Sequence, residues 1–193
     1  MLSMSFISLA VISILGLNTI SPLPSSHLIA AHTMSLEDRQ PDKYVNGVFK
    51  DNILLNLSYM GNEFTLKPGE AFAFHGDVLP QYEGRIVKTS NAHFNSQEGF
   101  KSDGYLVGDG VCHLASLMNL VAIEAKLDTY APARHDFAVI PDIPKEYGVS
   151  IYNYPGRKDD NARQNLYITN SHQKQVTFKF SYNNGDLSMS VFE

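Results

Sequence analysis

The chain has 193 residues, 44% of them hydrophobic and 18% charged, with a formal net charge of -5. It is long enough to build one sizeable core, and a single domain is the default. Its 15 Lys and Arg are scattered and outnumbered by 20 Asp and Glu, which excludes the basic face that neutralises phosphates and leaves no case for a nucleic-acid partner.

No charged residue occurs before Glu37, and "FISLAVISILGLNTI", Phe6 to Ile20, is an apolar run followed by the breaker-rich "SPLPSS". That is the length of a signal-peptide core, short for a membrane span of ~20 residues, although the usual positive n-region is missing. Residues 1–32 are therefore expected to be a signal peptide cleaved near "LIAA", Leu28 to Ala31, or an N-terminal membrane anchor. His27 and His32 fall in that region, and residues 33–193 form the domain. Either outcome places the domain outside the cytoplasm, secreted or held at the outer face of the membrane.

Downstream, Val45, Phe49, Ile53, Leu57 and Met60 recur at near-helical spacing, and the pattern predicts a helix over about 47–59. "LKPGEAFAFHG" reads as a turn and then a short strand with Phe72 and Phe74 on one side. From Gly76 to Gly110 the text is polar and broken by glycine, so a long loop is expected, with room for one short strand. Next comes a largely buried helix on Leu114, Leu117, Met118, Val121 and Ala125, with charge only at Glu124 and Lys126. "HDFAVI", "VSIYNY" and "NLYITN" are short, aromatic and β-branched, and "VTFKFSYNNGDLSMSVF" predicts a hairpin turning at Asn184-Gly185. Helices first and strands afterwards predict an α+β fold with a mainly antiparallel sheet.

The buried helix begins at the only cysteine, Cys112. One cysteine cannot form an intrachain disulfide, so in an exported protein the thiol is free, paired between chains, or used. First-turn amides lack intrahelical partners and carry the positive end of the helix dipole, so they can draw a thiol pKa from about 8.5 towards 3.5–7.5 and hold an oxyanion. Gly108 and Gly110 permit a sharp turn and close approach to backbone. His135, at the start of the next expected strand, is the candidate base. The competing reading is inert packing, because free cysteine often behaves as a small buried hydrophobe. Metal is not expected: adjacent Cys112 and His113 diverge on a helix, and no CxxC or HExxH spacing occurs. No other cofactor is implied. Asp159-Asp160 lies in "PGRKDDNARQ", most simply a solvated turn.

Taken together, "LKPGEAFAFHG", "GDGVCHLASLMNLVAIEA", "ARHDFAVIP" and "NLYITN" resemble the VanW-like domain family, whose hallmarks are a "PGExFSFN" segment, a "GGG(V/I)CQ" step into a helix, an "RHxHS" segment and a "DLxxxN" strand. The likeness runs from about Val45 to Phe180. It implies an exported bacterial cell-envelope protein of a kind associated with glycopeptide-resistance gene clusters, acting on peptidoglycan stem peptides by L,D-transpeptidase-like cysteine acyl transfer. The resemblance assigns the nucleophile to Cys112 and places the second histidine of "RHxHS" on His135 and the first on Ala133. With Asp159 as orienting acid and Gly108, Gly110, His113, Ser116 and Arg157 as the substrate-binding set, these residues form the expected site. Asp109 replaces a glycine of "GGG", and His113 replaces the following glutamine. A non-catalytic cell-wall binding module and an envelope cysteine peptidase or amidase remain alternatives. The oligomeric state is left open.

Overall fold

The computed structural model describes residues 26–193; the apolar run Phe6 to Ile20 and "SPLPSS" up to Ser25 lie outside them. Among the described residues no helix is long and apolar enough to cross a membrane. The fold is α+β. Strands β1 (Leu28–Ser35), β2 (Glu63–Leu66), β3 (Ala71–Ala73), β4 (Ile86–Lys88), β5 (Asp128–Tyr130), β6 (Tyr167–Thr169), β7 (Val176–Asn183) and β8 (Asp186–Phe192) accompany helices α1 (Lys43–Met60), α2 (Val111–Glu124) and α3 (Lys158–Arg163). They make two four-stranded sheets, ordered β1-β8-β7-β2 and β4-β3-β6-β5. Every pairing is antiparallel except β3 with β4.

The first sheet is built on the expected hairpin. Asn184 and Gly185 take φ of 51° and 89°, the two positive values that an Asn-Gly turn supplies and that match strand twist. Phe64 of β2 stacks on Phe178 of β7 at 4.6 Å and on Phe72 of β3 at 5.2 Å, so aromatic packing joins the two sheets. Helix α2 lies between them, against β1, β8, β5 and α1. Eleven of its fourteen residues are buried, which explains why its sequence is apolar nearly all round.

Four expectations need correction. The boundary at 32/33 cuts through β1, whose residues from Leu28 pair with β8; His27 exchanges both backbone hydrogen bonds with Glu193, and His32 bonds the carbonyl of Asp142. The fold therefore already includes residues from His27 onward. "HDFAVI" is not a strand: it pairs with no strand, and Phe137 and Val139 stand out from the surface, 76% and 85% exposed, instead of packing into a sheet. "VSIYNY" is extended but pairs only through a single bridge, Arg134 with Val149. Finally, "KDDNAR" is α3 rather than a loop, because buried Asn161 accepts the Tyr154 N–H at 2.6 Å and donates to Asp77 and Asn153, pinning this turn.

Candidate functional site

Gly110 is the N-cap of α2, with φ of 102°, and an added Cβ there would meet the carbonyl oxygen of Phe49 at 2.6 Å. Gly108, with φ of 96°, is equally confined: its Cβ would lie 2.8 Å from that of Phe94. The two glycines let the chain dive under α1 and Phe94 and deliver Cys112 and His113 to the first turn of α2. There they face a cavity of about 330 Å3.

Sequence-distant segments close that cavity. Phe49 comes from α1, Phe94 from the long loop, Leu106 to Gly110 from the turn before α2, His135 and Phe137 to Val139 from the segment that is not a strand, and Ile151, Tyr152, Tyr154 and Gln164 from beyond it. The walls are mostly apolar, and no Lys or Arg is among them. A small apolar cavity carrying a few convergent polar groups is the usual form of a ligand site.

Of the expected site residues, Cys112, Gly108, Gly110, His113 and His135 all line this space. The others do not reach it. Ser116 is fully buried and structural: its hydroxyl donates to the Cys112 carbonyl at 2.7 Å and accepts the Val149 N–H at 2.9 Å. Arg157 and Asp159 are exposed at the start of α3, outside the cavity, where Arg157 pairs with Asp160. Asp159 therefore cannot orient a histidine there.

The thiol also departs from expectation. The Cys112 sulfur donates to the carbonyl of Ile151 at 3.5 Å and accepts the Ile151 N–H at 3.4 Å. No hydrogen bond joins it to His135 among the described residues, so the expected dyad is not formed as a bonded pair. Although Cys112 as a residue is only partly buried, enclosure of its sulfur pushes the thiol up to about 11; Asp109 adds to this, while the Ile151 backbone and the Cys112 amide oppose it. Burial defeats the helix dipole here, because desolvation disfavours the thiolate more than first-turn amides favour it. Those amides are also partly spent: Val111 N–H bonds Gly108 O at 3.2 Å and His113 N–H bonds Gly110 O at 2.9 Å.

Both cavity histidines are buried and neutral. His113, 2% exposed, is held down to about 3 by burial and then by the Arg39 charge; His135 is lowered chiefly by burial. Their rings meet edge to face at 6.0 Å, His113 against Phe49 at 5.1 Å and His135 against Phe137 at 4.1 Å. Each keeps a buried Nδ1 without a hydrogen-bond partner. Searches of family models, curated proteins and solved structures return no match for this chain.

Sequence reasoning placed Phe49 only on the apolar face of the early helix and did not single out Phe94, Ile151 or Gln164, and only the sulfur-to-backbone bonds reveal Ile151 as the thiol's partner. No local pattern marks these residues, since each reaches the cavity through tertiary packing. Among the described residues no group of three or more His, Cys, Asp or Glu is placed to hold a metal ion.

Proposed function

We propose that this chain is an exported, VanW-like cell-envelope domain whose cavity binds peptidoglycan stem peptides, with Cys112 serving as a wall of that cavity. One observation carries the choice of binding over catalysis: the neutral sulfur is bonded to both backbone groups of Ile151. A nucleophilic cysteine is instead kept as a thiolate or bonded to a base. The apolar walls suit the side chains of a short peptide, and the imidazole and carboxyl edges at Asp109, His113 and His135 suit its amides.

The acyl-transfer reading keeps one observation in its favour, the convergence of Cys112, His113 and His135 on a single cavity. In that reaction the sulfur would attack a peptide carbonyl, a neutral imidazole would take the thiol proton and pass it to the departing amine, and an acceptor amine would release the acyl group. Titrating muropeptides into the protein while following intact mass separates the two. Saturable binding is expected in wild type and Cys112→Ser alike, with no mass increase, and Phe137→Ala at the cavity mouth should weaken binding on the order of tenfold. A Cys112-linked acyl adduct would establish transfer, and absence of binding in a folded sample would overturn both readings.

A further inference from the structure

Among the described residues eight buried side-chain atoms have no hydrogen-bond partner, and four of them, Asp109 Oδ2, His113 Nδ1, His135 Nδ1 and Gln164 Oε1, belong to residues lining the cavity that contains Cys112. A buried polar atom left unpaired costs stability unless a ligand or a water answers it, so four around one space mark a binding site. Their chemistry says what the ligand must bring. A carboxylate oxygen and an amide oxygen only accept, and a neutral imidazole keeps one accepting nitrogen. The set asks for a donor.

Charge narrows the choice. Asp109 is the only acid among the lining residues, and no Lys or Arg joins it. Arg39, whose charge reaches His113, is paired with Asp142 and lies outside the lining. A carboxylate or phosphate entering here would meet Asp109 and no cation. Around the same space stand Phe49, Phe94, Phe137, Tyr152 and Tyr154. The Tyr152 and Tyr154 rings meet edge to face at 4.6 Å, and Phe137 packs on His135 at 4.1 Å. Ring faces attract cations, and beside a carboxylate they replace much of what an ammonium ion loses on leaving water. The acid is also held in place: buried Asn52 of α1 donates to the Asp109 carbonyl at 2.8 Å, and Gly108 and Gly110 on either side are confined against Phe94 and Phe49.

We propose that this cavity is an alkylammonium site, with Asp109 as the counter-ion and the aromatic walls enclosing the charge and its alkyl stem. Resting on the peptidoglycan reading above, the assignment names the part of a stem peptide that enters: an amine-bearing side chain, not a free carboxylate end.

Titration of the full chain at pH 8 with n-pentylamine, n-pentanol and pentanoate, followed by amide NMR shifts over residues 106–113 and 135–139, tests the charge preference without any variant. That pH lies above the value of about 7 to which burial raises Asp109, and an alkylamine is still protonated there. Pentylammonium is expected to bind saturably and on the order of tenfold or more tighter than the alcohol, and pentanoate not to bind. Asp109→Asn should bring the amine down to the level of the alcohol. Equal affinities for amine and alcohol in wild type, or tighter binding of pentanoate, would overturn the site. Muropeptides with the free amine acetylated separate this inference from the reading beneath it, and acetylation should weaken their binding on the order of tenfold. Unchanged binding of the acetylated form would overturn the amine assignment and leave peptide recognition standing. Pentylammonium bound with no muropeptide bound would support the site and remove peptidoglycan as the source of its ligand.

Discussion

Gly110→Ala is expected to cost about 3–5 kcal/mol, the sum of strain from a left-handed φ on a non-glycine residue and of overpacking. The clash is with backbone, not with a side chain that can turn away: the new Cβ would sit 2.6 Å from the Phe49 carbonyl oxygen and 2.8 Å from its Cα. Relief requires α1 and the start of α2 to separate, which would open the cavity at Phe49 and displace Cys112 and His113. For a domain of this size the melting temperature should fall by roughly 10 °C or more. Gly156→Ala is the matched control. Gly156 also has positive φ, 74°, but its Cβ would meet nothing within 4 Å, so only the conformational part of the penalty, about 1–2 kcal/mol, applies. Equal losses in the two variants, measured by thermal unfolding, would show that the close approach to Phe49 does not govern the turn.

Acid should destabilise the fold well above the pH at which exposed carboxylates protonate. His75 and His113 are 4% and 2% exposed, and burial lowers them to about 4 and about 3. Their folded pKa values lie below the unfolded value near 6.5, so their contribution is fully present above pH 6.5 and is lost as pH falls towards 4 and 3. At pH 4 each costs on the order of 2–3 kcal/mol. Asp109 works in the opposite direction: its folded pKa is raised to about 7, so its contribution is present below about 4 and is lost as pH rises through 7. Asp109 is partly exposed and single, while the histidines are two and enclosed, so their effect dominates. Urea midpoints should therefore drop between pH 7 and pH 4, and the drop should be smaller in His113→Gln, whose amide does not titrate in this range. An unchanged pH dependence in that variant would mean that His113 is not held neutral by burial.

The strongest local signals in the sequence are also the elements that survive in the structure. Helix α2 is legible because its apolar residues leave no polar face, and the β7–β8 hairpin is legible because Asn184-Gly185 supplies two positive φ values. The early helix is also legible, though the structure lengthens it to Lys43–Met60 with Asp42 capping the N–H groups of Tyr44 and Val45. Strand β1 was hidden by its position: "LIAAHTMS" continues an uncharged N-terminus, and only pairing with β8 distinguishes it from a leader. The segment after His135 misleads for a different reason, since Phe137 and Val139 alternate as in a strand but are exposed at the mouth of a cavity.

The site divides in the same way. The placement of Cys112 at a helix start is local and legible, as is the glycine turn before it. Its chemistry is not, because thiol ionisation depends on what encloses the sulfur, and that is backbone 39 residues away at Ile151. A helix dipole can be read from sequence, whereas desolvation requires a fold.

The rate of Cys112 alkylation by iodoacetamide in the folded protein, followed by intact mass from pH 5 to pH 11, tests the central claim most directly. Cys112 is the only cysteine, so one added group reports one site. With the thiol pushed up to about 11 by enclosure, labelling should be negligible at pH 6 and still rising at pH 10, and Cys112→Ala should remain unlabelled throughout. A rate that is already at its plateau at pH 6 or 7 would mean a standing thiolate, and would contradict the reading of Cys112 as a wall of the cavity.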